Sequence, residues 1–181
     1  MFKQFKQIKA KIRQYWWATL LVEITLIIGI FYGITLWQTR HLLPADGYTP
    51  APLFTLQSLD GKTYHLADSR GTRTLLYFFA PWCSICHLSI GNLETLSQAD
   101  DAEKLTIFII ALSWKTVTEI QDFVKEHKLT IPILLGTPEL ATLYHVKGFP
   151  TYYVLNSQGN VIARDMGYSS ELGLRWRTDQ L

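Results

Sequence analysis

TRTLLYFFAPWCSIC, residues 72–86, is the stretch on which the reading of the chain turns. Thr72 to Ala80 is almost continuously apolar, the pattern of a central strand covered on both faces. Pro81-Trp82 breaks the run. Apolar residues at 85, 88, 90, 93 and 96 then follow helical spacing and predict a helix over 85–97. The two cysteines of the chain, Cys83 and Cys86, therefore stand where a buried strand gives way to a helix. Cys83 meets the unpaired N–H groups and the positive end of the helix macrodipole, which favour thiolate over thiol. Cys86 lies three residues on, on the same helix face, and can close a small disulfide with it. A C-x-x-C spacing beside a strand–helix–strand pattern is a redox signature.

Working outward, Leu105 to Leu112 (LTIFIIAL) reads as a second buried strand. It should be the parallel neighbour of the first, through a crossover that contains the 85–97 helix. Val117, Ile120, Phe123 and Val124 mark an amphipathic helix ending near His127. Ile131 to Leu135 and Pro138 to His145 read as a short strand and a short helix. Thr151 to Leu155 and Asn160 to Asp165 flank Ser157-Gln158-Gly159 as a hairpin, and Ser169 to Trp176 closes the chain as a helix capped by Ser169 or Ser170. Upstream, Leu53 to Leu56 and Lys62 to Leu66 surround Asp60-Gly61, a two-residue hairpin signal. The expected class is α/β, with a mixed central sheet flanked by helices.

The chain has 181 residues, 48% hydrophobic and only 18% charged, which excludes a disordered protein. Its net charge of +2 is unevenly placed. Lys3, Lys6, Lys9, Lys11 and Arg13 carry five of the 17 basic charges within residues 1–14, leaving 12 basic against 14 acidic residues from residue 38 onward. No basic field is left for nucleic acid. Tyr15 to Trp37 follows, with Glu23 its one ionisable group at neutral pH. About 20 such residues cross an apolar core of about 30 Å, and Tyr15, Trp16, Trp17 and Trp37 sit at the two ends, where interfaces attract aromatic rings. The basic tail puts the N-terminus in the cytoplasm and the rest of the chain across the membrane. A cleaved export signal is the rival, but its apolar core runs about 7–15 residues and ends in small residues, whereas this one ends in Leu36-Trp37. The expected division is a basic tail at 1–14, an anchor at 15–37, a Pro/Gly-containing tether at 38–51 and a globular domain at 52–181.

Several chemistries compete for Cys83 and Cys86. An inert disulfide would close a very short loop for little entropic gain. Structural zinc needs four ligands, and there is no second cysteine pair. Cys83-Ser84-Ile85-Cys86-His87 fits the C-x-x-C-H spacing of c-type haem attachment. A copper carrier would pair the two thiolates with His87, His127 or His145. A second signal is Gly148-Phe149-Pro150-Thr151 at the start of a strand, where a tight approach suits a cis proline.

PWCSIC after an apolar strand, followed some 60 residues later by GFPTYYVLNSQGNVIAR, resembles the thioredoxin superfamily. The preceding APLFTLQSLDGKTYHL and the apolar N-terminal segment are similar to the TlpA/ResA-like branch of bacterial periplasmic thiol-disulfide oxidoreductases, and to the copper-sensitivity-suppressor subgroup. The resemblance covers about residues 50–175. It implies a thioredoxin-like domain with an added N-terminal hairpin, in a single-pass protein of the bacterial inner membrane whose catalytic domain is periplasmic. It implies Cys83 as the exposed attacking thiol, Cys86 as the resolving thiol and Pro150 as the cis proline facing them. Trp82 and Phe149 match the positions that shape substrate contact. Protein thiols or disulfides would be the substrates, with a membrane thiol-disulfide donor or acceptor as redox partner, and no cofactor or metal enters this reading. His87, in the first helical turn, would favour the Cys83 thiolate when cationic. The chain departs from the family pattern at Tyr77, where thioredoxins carry a buried Asp, at Ser89, where TlpA/ResA-like proteins often carry an acidic residue, and in the Ser84-Ile85 pair between the cysteines. Glu94, the next carboxylate downstream, is out of helical phase with Cys86.

Overall fold

A computed structural model describes residues 2–98 and 105–179, with side chains from Trp16 to Thr178; the side chains of the basic tail and of Tyr15 lie outside the described residues. The chain divides into two units, Met1–Arg40 and His41–Leu181.

The first unit is one helix, α1 (Phe2–Thr39). Within it, Trp16–Thr39 forms 24 residues long and apolar enough to cross a membrane. Its hydroxyls are satisfied along the helix itself: Thr19 donates to the Trp16 carbonyl, Thr25 to Leu21 and Thr35 to Phe31, at 2.7–3.0 Å. Such back-bonding pairs these threonine hydroxyls in an apolar surrounding. At the far end the Arg40 guanidinium lies 5.2 Å over the Trp37 ring.

The second unit follows the order β1 (Thr55–Gln57), β2 (Thr63–His65), a 3₁₀ turn (Leu66–Ser69), β3 (Arg73–Phe79), α2 (Ser84–Ser97), β4 (Leu105–Ala111), α3 (Val117–His127), β5 (Ile133–Leu135), α4 (Pro138–Leu143), β6 (Thr151–Leu155), β7 (Val161–Met166) and α5 (Glu171–Asp179). The main sheet has the order β5-β4-β3-β6-β7. β3 runs parallel to β4, and β4 to β5, while β6 is antiparallel to both β3 and β7. This is the thioredoxin-like α/β arrangement with its mixed sheet, and β1 with β2 forms the added hairpin.

β3 is central because nearly every one of its side chains is buried, and the pleat divides them between two cores. Leu75, Tyr77 and Phe79 face Cys86, Ile90 and Leu93 of α2, Phe123 of α3 and Leu174 of α5. Leu76 and Phe78 face Leu56, Leu134, Leu140 of α4, Tyr144 and Tyr153.

Some boundaries differ from expectation for local reasons. β5 begins at Ile133 rather than Ile131 because Pro132 has no N–H to give to the ladder. The first hairpin turns through five residues, Ser58–Lys62, with Gly61 at φ +80° and the Ser58 hydroxyl donating to Asp60. At α5 the Ser170 hydroxyl accepts the Gly173 N–H at 3.2 Å, so the helix starts at Glu171, and Ser169 instead accepts from Arg177 at 2.6 Å.

The segment expected to be a tether is bound to the domain along much of its length. Gly47 donates to the Val161 carbonyl, Val161 to Thr49, and Ala51 to Gly159, at 2.9–3.0 Å. Arg164 donates to the Leu42 and Leu43 carbonyls at 2.6 and 2.7 Å, and Leu42 is 3% exposed within the core. Backbone pairing of this kind leaves no hydrophobic period in the sequence.

Candidate active site

β3 delivers the chain to the sheet's end, and Ala80-Pro81-Trp82 turns it into α2. The Cys83 N–H donates to the Ala80 carbonyl at 3.0 Å. Cys83 is the N-cap of α2, with extended φ/ψ of −83° and 108°, and its sulfur accepts the Cys86 N–H at 3.2 Å. The sulfur therefore sits among the unpaired donors of the first helical turn, where negative charge is favoured. Cys83 and Cys86 form a disulfide with Cα atoms 5.2 Å apart, within the usual range. Cys86 is fully buried and Cys83 is 6% exposed, so the sulfur expected to be open is nearly covered in this oxidised state. Of the pair, Cys83 is nonetheless the one that reaches solvent.

The Phe149–Pro150 peptide bond is cis. β6 starts at Thr151, opposite Phe78, so Pro150 lies at the end of the sheet where β3 gives way to the cysteine turn. Trp82, 64% exposed, donates from Nε1 to the Ser113 carbonyl at 2.9 Å, and its ring meets Phe149 edge-on at 5.8 Å. The structure thus brings Trp82 and Phe149 together and places the disulfide and Pro150 at one end of the sheet.

The two departures from the family pattern meet each other. The Tyr77 hydroxyl and Ser89 Oγ are 3.0 Å apart, both fully buried, and Ser89 also lies 3.4 Å from the Cys86 carbonyl. Burial drives the Tyr77 phenol far above its ordinary range, so the pair stays neutral. Tyr152 packs against Tyr77 at 5.1 Å, and desolvation is the main cause pushing its phenol up to about 12. Its hydroxyl lies beside Ser89 and the Ser169 backbone without closing a hydrogen bond of good geometry among the described residues. At the two positions where the family resemblance leads one to expect acidic residues, the chain carries a hydroxyl pair. Ser89 falls one helical turn after Cys86, and Tyr77 shares a strand face with Phe79; both signals were readable from spacing. Glu94 is occupied elsewhere, binding the Thr130 N–H at 3.1 Å and its hydroxyl.

Both ring nitrogens of the expected histidine are engaged by other partners. His87 Nε2 is 2.8 Å from the Pro81 carbonyl, and Nδ1 is 2.8 Å from His127 Nε2. These contacts commit the ring that C-x-x-C-H haem attachment would need. The copper-carrier alternative finds no support: the cluster of potential metal ligands among the described residues excludes both sulfurs, and His145 Nδ1 lies 2.9 Å from the His41 carbonyl.

Known proteins resemble this chain in sequence and in fold. A profile of the AhpC/TSA family matches residues 48–164. The thioredoxin-like protein YneN of Bacillus subtilis is 31% identical over 144 residues, covering 77% of this chain and 84% of the relative. The sporulation thiol-disulfide oxidoreductase A of the same organism is 28% identical over 152 residues, covering 82% and 88%. Among solved structures, a thiol:disulfide interchange protein of the thioredoxin family from Chlorobium tepidum superimposes with a TM-score of 0.66 at 26% identity, covering 72% of this chain and 94% of its own. The chain belongs to the AhpC/TSA family, as a thioredoxin-like protein-disulfide oxidoreductase of the TlpA/ResA type.

Proposed function

We propose that the chain is a membrane-anchored oxidoreductase exchanging dithiol for disulfide through Cys83 and Cys86 on the periplasmic side of a bacterial inner membrane. The observation that carries the reading is the placement of Cys83 at the N-cap of α2, bonded to a fully buried Cys86. In the reductive direction the Cys83 thiolate attacks one sulfur of a substrate disulfide. A mixed disulfide forms, and the other substrate sulfur leaves as thiolate. The Cys86 thiolate then attacks Cys83 Sγ, the second substrate sulfur leaves, and the Cys83–Cys86 disulfide closes. Two electrons have passed to the substrate, and a membrane thiol-disulfide partner restores the dithiol. Oxidation of a substrate dithiol traverses the same intermediate in reverse.

Pro150, at the end of the sheet where β3 gives way to the cysteine turn, supports an extended substrate segment, to which Trp82 with Phe149 offers an aromatic edge. Residues 15–37 serve as the anchor, residues 1–14 as a cytoplasmic tail held there by their five cations, and the thioredoxin-like domain from about residue 52 as the exported part. Replacing Cys86 by Ala removes the resolving sulfur. Cells carrying Cys86→Ala should accumulate reductant-sensitive mixed disulfides absent from Cys83→Ala/Cys86→Ala; equal, empty patterns in both would refute the exchange role.

A further inference from the structure

Behind the cysteine turn, α2 and the end of α3 bring together His87, Glu126 and His127. Their ligand atoms all lie within 4.8 Å of one another. His87 Nδ1 is 2.8 Å from His127 Nε2 and 3.7 Å from a Glu126 carboxylate oxygen. We propose that these three side chains form a binding site for a divalent transition-metal ion of the zinc class, separate from the cysteines.

The hydrogen-bond pattern sets the donor atoms. His87 Nε2 lies 2.8 Å from the Pro81 carbonyl, which can only accept, so Nε2 carries the ring proton. The Nδ1 lone pair of neutral His87 is then left facing His127. A ligating imidazole held by a backbone carbonyl through its other nitrogen is the usual outer-shell arrangement of metal-bound histidine. Without metal, His127 Nε2–H donates to that lone pair. On metal binding the proton moves to Nδ1 of His127, and both lone pairs point at one centre.

Geometry and packing agree with a small ion. Zinc–nitrogen bonds of about 2.0–2.1 Å put two tetrahedral ligands about 3.3 Å apart. The nitrogen pair needs to open by about half an ångström to reach that spacing, and the Glu126 oxygen stands slightly outside it. Phe123 holds both rings, its centroid 4.7 Å from each. Two imidazoles and one carboxylate suit a borderline ion rather than calcium or magnesium, and three protein ligands leave one position for water. No sulfur takes part, so the site does not depend on the exchange reaction.

The test uses the full chain in detergent, with its disulfide closed so that no thiolate competes. Titration with Co²⁺ should reach one equivalent with the visible bands of a tetrahedral site, and one equivalent of Zn²⁺ should abolish them. His87→Gln and His127→Gln should each weaken binding at least tenfold, His145→Gln should leave it unchanged, and Cys83→Ser/Cys86→Ser should still bind. Zn²⁺ added to the wild-type chain should shift the ring resonances of His87 and His127 among the histidines, a readout independent of whether any variant folds. No saturable binding, undiminished binding in His127→Gln, or ring shifts at other histidines alone would overturn the site.

Discussion

Ser89→Ala tests the buried hydroxyl pair behind Cys86. Tyr77 and Ser89 are both fully buried, 3.0 Å apart, and the pair lies within the core that α2 covers. Removing the serine hydroxyl leaves the Tyr77 O–H without that partner in an apolar setting, which costs about 1–3 kcal/mol. Tyr77→Phe is milder, about 1 kcal/mol, because Ser89 keeps the Cys86 carbonyl at 3.4 Å. The double variant removes both polar groups together and should be no less stable than Ser89→Ala alone, a coupling of about 0.5–3 kcal/mol. Urea unfolding of the oxidised protein, followed by near-ultraviolet circular dichroism, reads all three. With a slope near 2 kcal/mol per M, a loss of about 2 kcal/mol moves the midpoint by about 1 M. An unchanged midpoint in Ser89→Ala, or strictly additive losses in the double variant, would refute the reasoning.

Two glycines should respond oppositely to alanine. A Cβ at Gly136 would lie 2.6 Å from Leu112 Cδ2 and 2.8 Å from the Ala111 carbonyl oxygen, so Gly136→Ala should lose about 1–3 kcal/mol in the same unfolding assay; at Gly91, inside α2, it meets nothing within 4 Å, and Gly91→Ala should gain about 0.5–1 kcal/mol. Leu42→Ala should cost about 2–4 kcal/mol in thermal or urea unfolding, since this side chain is a core residue rather than part of a free linker. Alkali should unfold the domain cooperatively. Desolvation raises Tyr77, Tyr144, Tyr152 and Tyr153, the last two to about 12. Between pH 10 and those values the folded state holds more protons than the unfolded one, so stability is complete below pH 10 and falls as pH rises, by about 1.4 kcal/mol per pH unit for each buried phenol. The share of phenolate absorbance that belongs to these four buried tyrosines should therefore appear together with loss of tertiary signal, after the exposed tyrosines such as Tyr48 and Tyr168; ionisation of all the tyrosines in a still-folded protein would contradict it.

The parts of the fold carried by side-chain period were legible in the sequence. The uninterrupted run at 72–80 became β3, the spacing at 85–96 became α2, and the cysteines fell at their junction as expected. What was hidden depends on pairings between distant backbones or distant side chains. The segment from His41 to Pro52 is held by carbonyls and N–H groups of β7 and its turn, which any residue except proline can supply. The His87–His127 contact joins residues 40 apart, and neither residue carries a local mark of the other. The near-complete cover of Cys83 follows from its disulfide to a buried partner, and helix phase alone does not report how much solvent reaches a sulfur.

The central claim is that the Cys83–Cys86 disulfide works rather than merely staples. Equilibration of the full-length protein across a graded series of reduced and oxidised glutathione, with free thiols alkylated and counted by mass, tests it most directly. The account predicts one reversible two-electron transition in which both cysteines open and close together, absent from Cys83→Ala. A disulfide that stays closed across the series, or opens only on unfolding, would contradict it.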